Sequence, residues 1–159
     1  MLEVCLGNRT VETVKIYFDK ANQPEIKAVL PQKVQTVEEA LEDYKETLLP
    51  NASSYGRTII ANGNYVGDIW CYCVDANEKP NAMLSYCIFE KAFWSQGIAT
   101  EAVAMFLKEI RAKYALSTIG AFTFSENLAS IRVLEKNGFA EIEEFSEEGR
   151  DSKYFQYIY

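Results

Sequence analysis

The chain has 159 residues, of which 48% are hydrophobic and 25% are charged. This composition suits one compact folded unit and excludes an intrinsically disordered chain. The formal net charge is −7 and the pI is about 4.7, which argues against a nucleic-acid binder that relies on phosphate contacts. The acidic balance fits a cationic partner, and it fits equally well an acidic surface that keeps a protein soluble.

The chain has no histidine and four cysteines, Cys5, Cys71, Cys73 and Cys87, all in apolar, strand-like stretches. A metal site needs more ligands than these residues offer, so we interpret the cysteines as buried reduced thiols and expect no metal. Any acid–base chemistry must then use Glu, Asp, Tyr, Cys, Lys, Ser or water.

Charged residues interrupt every apolar stretch before it is long enough to cross a bilayer. The first ten residues lack the basic start and apolar segment of a secretory signal. We therefore expect a cytoplasmic protein without a membrane or nucleic-acid partner.

The N-terminal third predicts one strand followed by helices. Residues 1–6 favour the strand, and either Asn8 or Thr10 can cap the helix that follows. Two prolines limit residues 21–35 to a helix fragment flanked by loops. Thr36, with a glutamate three residues later, has the pattern of a capping box and opens a further helix.

The middle of the chain predicts a β-hairpin and a third strand. Strands over 57–61 and 65–74 flank Asn62-Gly63, which is a strong hairpin signal because both turn positions tolerate positive φ. Residues 83–89 are apolar or aromatic apart from one serine, which is the pattern of a buried strand.

The last third predicts a strand over 116–124 and a short helix over 127–137, with Gly138 at the left-handed stop of that helix. A closing pair of strands over 139–145 and 153–159 follows, around a polar turn. Helices packed on a mixed sheet, in one α+β domain, are the simplest fold for this order of elements.

A tight loop joins the buried strand of residues 83–89 to a long helix. The loop reads WSQGIA over residues 94–99, and from Thr100 the apolar residues recur at helical spacing. A helix that begins at a loop of small residues directs several unpaired backbone N–H groups, and the positive end of its dipole, at one place. The sequence therefore predicts a site for phosphate oxygens at this loop.

Two segments, FWSQGIATEAV at residues 93–103 and SENLASIRVLEKNGF at residues 125–139, occur in this order with a strand between them. Together they resemble the GCN5-related N-acetyltransferase (GNAT) family, and within it the RimJ/RimL-like branch that acetylates ribosomal proteins. Trp94 stands where most of the family has Arg or Gln, a substitution typical of that branch, and Ser95 stands where Gly is more common. The resemblance covers residues 57–159.

The resemblance implies a single GNAT-like domain over residues 1–159, with a mixed, mostly antiparallel twisted sheet flanked by helices. It also implies acetyl-CoA as co-substrate, with the pyrophosphate on the loop amides and the pantetheine arm along the end of the preceding strand. Asn127 also suits a plain helix cap. The cofactor-binding residues that the resemblance implies are Cys87, Ile88, Phe89, Gln96, Gly97, Ile98, Ala99, Thr100, Asn127 and Ser130.

For catalysis, the resemblance implies direct attack of an amine on the acetyl thioester, which needs a neutral amine and a stabilised leaving thiolate. Leu134 stands where many relatives have a tyrosine acid, so Ser130, the serine of the RimJ/RimL-like branch, is the candidate that serves the thiolate. The base of that branch is a glutamate that falls at Glu147 or Glu148 by spacing, in a segment that also reads as a solvated acidic turn. Glu148 and Glu90 are the candidate bases, and a water chain to a carboxylate is the alternative.

The leading hypothesis is an N-acetyltransferase that moves acetyl from acetyl-CoA to an amine, either a protein N-terminus or a small amine. The alternative is a non-catalytic acyl-CoA-binding or protein-interaction module on the same fold, since the tyrosine acid is missing. The C-terminal strand YFQYIY, residues 154–159, suits pairing with a second copy in a homodimer. The aromatic residues that are candidates to line the acceptor groove are Tyr17, Phe18, Tyr44, Tyr55, Tyr65, Trp70, Tyr72 and Tyr86.

Overall fold

The computed structural model describes residues 2–159, and in this part of the chain five helices flank a seven-stranded sheet. The strands are β1 (Val4–Gly7), β2 (Tyr55–Ala61), β3 (Asn64–Asp75), β4 (Asn81–Ile88), β5 (Thr118–Phe124), β6 (Ala140–Glu147) and β7 (Arg150–Ile158). The helices are α1 (Val11–Ala21), α2 (Pro24–Val29), α3 (Val37–Thr47), α4 (Ile98–Tyr114) and α5 (Leu128–Lys136). The α+β prediction is confirmed, and Met1, the expected start of the first strand, lies outside the described residues.

The sheet has the order β1-β2-β3-β4-β5-β7-β6, and β4 and β5 are its one parallel pair within residues 2–159. That pairing is short, because it runs only from Asn81 opposite Thr118 to Met83 opposite Gly120. Both strands continue for several residues without further pairing to each other. The sheet is therefore mixed and mostly antiparallel, as expected, and it opens into a wedge between its two central strands.

Helix α4 packs on one face of the sheet and supplies much of the main core. Its side chains Ala102, Val103, Phe106 and Ile110 are fully buried, each large one contributing roughly 1.5–3 kcal/mol through removal from water. A second, smaller cluster joins Ala21 of α1 and Ile26 of α2 to Cys87 and Phe89. Side chains alternate between the faces of a strand, so this second cluster holds α1 and α2 on the opposite face from α4.

The starts of α1 and α3 follow from side-chain caps. Thr10, one of the two candidates, caps α1 by accepting a hydrogen bond from the amide of Thr13 at 3.1 Å. Thr36 caps α3 in the same way, accepting from the amide of Glu39 at 3.2 Å. The carboxylate of Glu39 accepts from the amide of Gln35 instead of the amide of Thr36, so only half of the expected capping box forms.

Two of the hairpins, β2–β3 and β6–β7, use two-residue turns with positive φ. Asn62 and Gly63 have φ of 50° and 80°, as expected for the hairpin signal, and Glu148 and Gly149 have φ of 52° and 79°. The second turn lets β6 and β7 pair as far as Glu147 opposite Arg150. The polar stretch that the sequence predicted as a longer turn is therefore mostly strand.

The C-terminal strand is an internal strand of the sheet. β7 lies between β5 and β6, so its residues up to Gln156 have hydrogen-bonding partners on both edges. The expected pairing of the segment 154–159 with a second copy is therefore excluded for residues 154–156, because the order of strands across a sheet differs from their order along the chain, and a homodimer stays a prediction. The free edges belong to β1 and β6, and β6 carries exposed glutamates, which oppose edge-to-edge pairing of identical strands.

The four cysteines are free thiols, but only Cys71 and Cys87 are buried. Cys73 is exposed because it lies at an irregularity of β3 between Tyr72 and Asp75 and has a φ of 52°. Cys5 is exposed on the edge strand β1. The expectation of four buried thiols was therefore wrong for these two. Within residues 2–159, none of the helices is long and apolar enough to cross a membrane.

Candidate active site

A cavity of about 620 Å³, the first cavity, fills the wedge between β4 and β5. Residues 84–88 line it from β4 and residues 121–123 from β5, beyond the last paired residues of the two strands. Residues of α2 and α5 and the start of α4 complete its wall. Where the two strands part, the edge of β4 that faces β5 has peptide groups without a strand partner, so this wall offers backbone hydrogen bonds to a ligand.

The N-terminus of α4 opens on the first cavity. Gly97 precedes the helix in the left-handed conformation, with a φ of 80°, and no side chain caps the helix. The first hydrogen bond of the helix runs from the amide of Glu101 to the carbonyl of Gly97 at 3.1 Å. The amides of Ile98, Ala99 and Thr100 therefore have no acceptor within residues 2–159, and together with the helix dipole they favour an anion.

Two side-chain hydrogen bonds hold the loop before α4 in place. The indole Nε1–H of Trp94 donates to the carbonyl of Ile88 at 2.7 Å, and the amide Nε2–H of Gln96 donates to the carbonyl of Ala92 at 2.7 Å. Trp94 therefore ties the loop back to the end of β4.

The first cavity is lined by all of the expected cofactor-binding residues except Phe89. Phe89 is buried in the second cluster instead, and its amide donates to the carbonyl of Val66 at 2.9 Å, so the structure does not bring it to the cavity. Asn127 lines the cavity and also caps α5, since its Oδ1 accepts from the amide of Ser130 at 3.2 Å. The binding roles of these residues stay predictions.

The hydroxyl of Ser130 lies beside the phenol of Tyr86, which the sequence analysis placed in the acceptor groove. The hydroxyl oxygens of Tyr86 and Ser130 are 2.8 Å apart, and both residues line the first cavity. Burial raises the pKa of Tyr86 to about 12, although the hydrogen bond to Ser130 lowers it slightly, so the phenol is neutral at pH 7. Leu134, at the family's tyrosine position, is buried in the core.

Tyr86 was expected among the residues of the acceptor groove. It shares a face of β4 with Ala82 and Leu84, which pack in the main core under α4. The alternation of side chains along β4 is the signal that would have placed it on the side of α4 and α5.

The candidate bases lie away from the first cavity. Glu90 forms an ion pair with Lys20 at 3.0 Å, just before the single 3-10 turn of residues 91–93. Glu148 occupies the exposed hairpin turn, and Glu147 lies opposite Arg150 on the neighbouring strand. The structure therefore does not bring Glu90 or Glu148 together with Ser130.

A second cavity of about 420 Å³ lies on the opposite face of the sheet, under α1 and α3. Leu30 and Ser85 line both cavities, and we call these two residues the junction. Of the aromatic residues expected in an acceptor groove, Tyr65 and Tyr86 do not line the second cavity. Those that do are Tyr17, Phe18, Tyr44, Tyr55, Trp70 and Tyr72.

Asp68, on β3, is a buried carboxylate in the wall of the second cavity. Only 2% of its surface is exposed. Its Oδ1 accepts a hydrogen bond from the hydroxyl of Tyr65 at 2.6 Å, and its Oδ2 is 3.3 Å from Nε of Arg9. Burial raises the pKa of Asp68 to about 6, against the opposing effects of Arg9 and Tyr65. The sequence analysis missed it, although a carboxylate in the middle of an otherwise apolar strand was a signal that could have found it.

Arg150, at the start of β7, ties two parts of the first cavity's rim together. Its Nη2 donates to the carbonyl of Ala28 in α2 at 2.7 Å, and its Nε donates to Glu126 in the loop before α5 at 3.0 Å. The guanidinium also lies 3.4 Å from the ring centroid of Phe124. The sequence analysis did not single out Arg150, because its partners are distant along the chain.

Residues 9–140 match the family model described as the acetyltransferase (GNAT) domain. This family model and the open helix N-terminus beside the wedge in the sheet together define the class of the protein. It is an acyltransferase that uses acetyl-CoA as co-substrate. The chain belongs to the GNAT acetyltransferase family. No curated protein sequence matches the chain.

Solved structures share this fold at low sequence identity. An aminoglycoside acetyltransferase AAC(6')-Ib in complex with coenzyme A matches with a TM-score of 0.79 and 18% identity, over 98% of this chain and 95% of that one. RimL, a ribosomal L7/L12 alpha-N-protein acetyltransferase in complex with coenzyme A, matches with a TM-score of 0.82 and 17% identity, over 98% and 93%. The spermidine N-acetyltransferase from Vibrio cholerae in complex with CoA and spermine matches with a TM-score of 0.83 and 16% identity, over 99% and 95%. The GNAT-like fold is thus confirmed, and the likeness extends to enzymes with three kinds of acceptor.

Proposed function

We propose that the first cavity binds acetyl-CoA and that the second cavity binds the amine that receives the acetyl group. The observation that carries this proposal is the junction, because Leu30 and Ser85 line both cavities at the level where β4 and β5 part. The pyrophosphate would lie on the unpaired amides of Ile98, Ala99 and Thr100, and the pantetheine arm along residues 84–88. The thioester then reaches the amine through the wedge.

The chemistry follows from the groups on each side of the junction. The amine nitrogen attacks the thioester carbonyl, the C–N bond forms, and the C–S bond breaks with its electron pair on sulfur. The hydroxyl of Ser130, held by Tyr86, donates a hydrogen bond to the leaving thiolate. The nitrogen loses its proton to Asp68, whose pKa of about 6 leaves it ionised at pH 7, either directly or through a water molecule.

The acceptor is an amine, and two kinds of likeness bear on its class. The resemblance of residues 57–159 to the RimJ/RimL-like branch supports a protein N-terminus. The fold shared with aminoglycoside and spermidine acetyltransferases supports a small amine. A non-catalytic module has less support than the sequence suggested, because Tyr86 supplies a phenol where Leu134 does not.

Calorimetry with acetyl-CoA tests the cofactor site. We expect a dissociation constant between about 1 μM and 1 mM for the natural chain. Gly97→Trp should abolish binding, because the new side chain covers the amides at the start of α4. Gly63→Trp is the matched control, since Gly63 has the same φ of 80° and equally open space around it but lies in a hairpin turn outside both cavities.

Equal loss of binding in Gly63→Trp, or no binding by the natural chain at about 1 mM acetyl-CoA, would contradict the proposed site. A thiol-release assay with amines and N-terminal peptides then tests catalysis. Binding of acetyl-CoA without release of CoA to any acceptor in the panel would favour the non-catalytic module.

A further inference from the structure

Arg9, just before the cap of α1, is held on three sides in the wall of the second cavity. Its Nε is shielded from solvent 3.3 Å from Oδ2 of Asp68, and its guanidinium lies 5.7 Å from the ring centroid of Trp70. A Cβ at Gly56 would lie 2.2 Å from Cζ of Arg9, so only glycine leaves room for the guanidinium there. The hydroxyl of Tyr44 donates to the carbonyl of Arg9 at 3.1 Å and fixes the backbone.

The two terminal nitrogens of Arg9 are free. Within residues 2–159 neither has a hydrogen-bond partner, and unlike Nε neither is shielded from solvent, so they open on the second cavity that Arg9 lines. A guanidinium fixed at its Nε edge presents its remaining N–H groups as a planar fork. That fork matches the two oxygens of a carboxylate.

The charged groups of the second cavity leave the N–H groups of this fork without an acceptor within the described part of the chain, although Asp68 is the counter-ion of Arg9. Asp68 is engaged with Tyr65 and the Nε edge of Arg9, and Lys33 lies 5.9 Å from the ring of Tyr72 as a further cation. Asp43 and Glu46 line the cavity but are exposed residues of α3. The fork therefore offers hydrogen-bond donors to an anionic group, and it offers none of the acceptors that a polycationic amine needs.

The fork and Ser85 of the junction both belong to the wall of the second cavity. The guanidinium of Arg9 lies 5.7 Å from the ring centroid of Trp70, and Trp70 is the ladder partner of Ser85. Neighbouring strands are about 5 Å apart, so a molecule that spans at least one strand spacing can place an anion on Arg9 and an amine at Ser85.

We propose that the acceptor is an amine of amino-acid type, whose carboxylate binds the terminal nitrogens of Arg9 while its amine lies at Ser85. This inference rests on the proposed function and adds the class of acceptor to it. Arg9 is then a specificity-determining residue. The acetyl group still moves from sulfur to nitrogen, and the carboxylate remains unchanged in the product.

A thiol-release assay with matched probes tests the acceptor class. Amino acids whose amine is one to several carbons from the carboxylate, L-lysine among them, are each compared with the carboxamide, which keeps the amine and the rest of the molecule but lacks the negative charge. A charge-assisted bidentate hydrogen bond is worth about 1.5–3 kcal/mol, so kcat/KM should favour at least one acid over its carboxamide by about 10-fold to 150-fold.

In the Arg9→Gln variant, kcat/KM for the acid and for its carboxamide should differ by less than about threefold, because the variant lacks the positive charge that distinguishes the two probes. Lys33→Gln is the control, since it removes the other cation of the cavity and should keep the preference. Preference of the natural chain for the carboxamides, or for spermidine over every acid, would overturn the proposal. If Arg9→Gln fails to fold, the ratio measured on the natural chain decides alone.

A binding measurement separates this proposal from the proposed function. The chain has two tryptophans, so the Trp94→Phe variant keeps Trp70, which lies under Arg9, as its one tryptophan. The fluorescence of Trp70 should change saturably with the amino acid and not with its carboxamide, in the presence of CoA. Binding of the acid to this variant with no acetyl transfer by the natural chain would refute the function and keep the carboxylate site. Transfer by the natural chain only to amines that lack a carboxylate would refute the site and keep the function.

Discussion

A serine hydroxyl is a weak proton donor by itself, and the neighbours of Ser130 determine what it can do. Its amide is capped by Asn127, and its Oγ lies 2.8 Å from the phenol of Tyr86. Burial keeps that phenol protonated, because it raises the pKa of Tyr86 to about 12. The pair therefore brings an uncharged donor to the first cavity at neutral pH, where a thiolate would form in acetyl transfer.

This pair gives a prediction at the scale of single residues. Ser130→Ala should lower kcat by about 10-fold to 100-fold through loss of the hydrogen bond to the thiolate, with KM for acetyl-CoA changed less than about threefold. Tyr86→Phe should lower kcat by a smaller factor, and it should have no further effect in the Ser130→Ala background, because Tyr86 acts through Ser130.

Steady-state kinetics of the two single variants and the double variant measure this coupling. Ser146→Ala, on the exposed strand β6, is the control and should match the natural chain. Multiplicative losses in the double variant would show that Tyr86 acts independently of Ser130.

Single-residue predictions from the sequence succeed where the signal is local. Asn127 caps α5 and lines the first cavity with Ser130, because both lie in the first turn of one helix. Asp68 and Arg9 were missed as functional candidates, and Tyr86 was assigned to the acceptor groove instead of to Ser130, because each acquires its environment from partners on other strands or helices. Glu148 was predicted as a functional residue but does not lie at the site. Its spacing in the sequence fitted the base of the RimJ/RimL-like branch, whereas the hairpin turn leaves it exposed and away from both cavities.

Among the elements, α2 is the short helix that closes the first cavity. It has six residues, begins with Pro24 and lacks a side-chain cap, so its own hydrogen bonds stabilise it little. Arg150 on β7 and the ion pair of Lys91 with Glu25 hold it in place from outside. The position of α2 therefore depends on contacts from other parts of the chain.

At this scale we predict that Arg150→Gln loosens α2. The variant loses the link between Ala28 and Glu126, so amide hydrogen exchange in residues 24–29 should become faster and KM for acetyl-CoA should rise severalfold. Lys153→Gln is the matched control on the same strand, because it removes an exposed ion pair with Glu141 that lies away from the cavity. Unchanged exchange in α2 would contradict this role of Arg150.

The elements themselves were largely predictable, because hydrophobic periodicity, caps and turn residues are local. The Asn62-Gly63 hairpin, the start of α4 and the left-handed Gly138 after α5 all form as expected. The internal position of β7 could not be predicted from residues 154–159, since an aromatic strand suits the centre of a sheet and its edge equally. Lateral strand order depends on contacts that only the folded chain makes.

For the molecule as a whole, Asp68 introduces a dependence of stability on pH. Its folded pKa of about 6 exceeds the ordinary value of 3.8, so between pH 4 and pH 6 the folded state binds more protons than the unfolded state. The free energy of unfolding should therefore fall as the pH rises through this range, by about 3 kcal/mol from this residue. Arg9, Tyr65, Tyr17 and Cys87 are the titratable or charged groups that face it.

Urea unfolding of the natural chain and of Asp68→Asn at pH 4, 5, 6 and 7 checks this prediction. The stability of the natural chain relative to the variant should decrease from pH 4 to pH 6 and then stay constant. A constant difference across the whole range would show that Asp68 titrates at the same pH in the folded and unfolded states.

Several conclusions about the whole molecule stay predictions. They are its organisation as one domain over residues 1–159, its location in the cytoplasm and its place in the RimJ/RimL-like branch. The fold and the family do not depend on them.

The meeting of the two cavities at Leu30 and Ser85 also determines the kinetic order of the reaction. Cys87, a nucleophile that lines the first cavity, is kept protonated by burial, which raises its pKa to about 12. A covalent relay through Cys87 is therefore disfavoured, and the proposed function predicts that donor and acceptor are bound together in a ternary complex. On the proposed function, double-reciprocal plots at several fixed acceptor concentrations will intersect instead of running parallel.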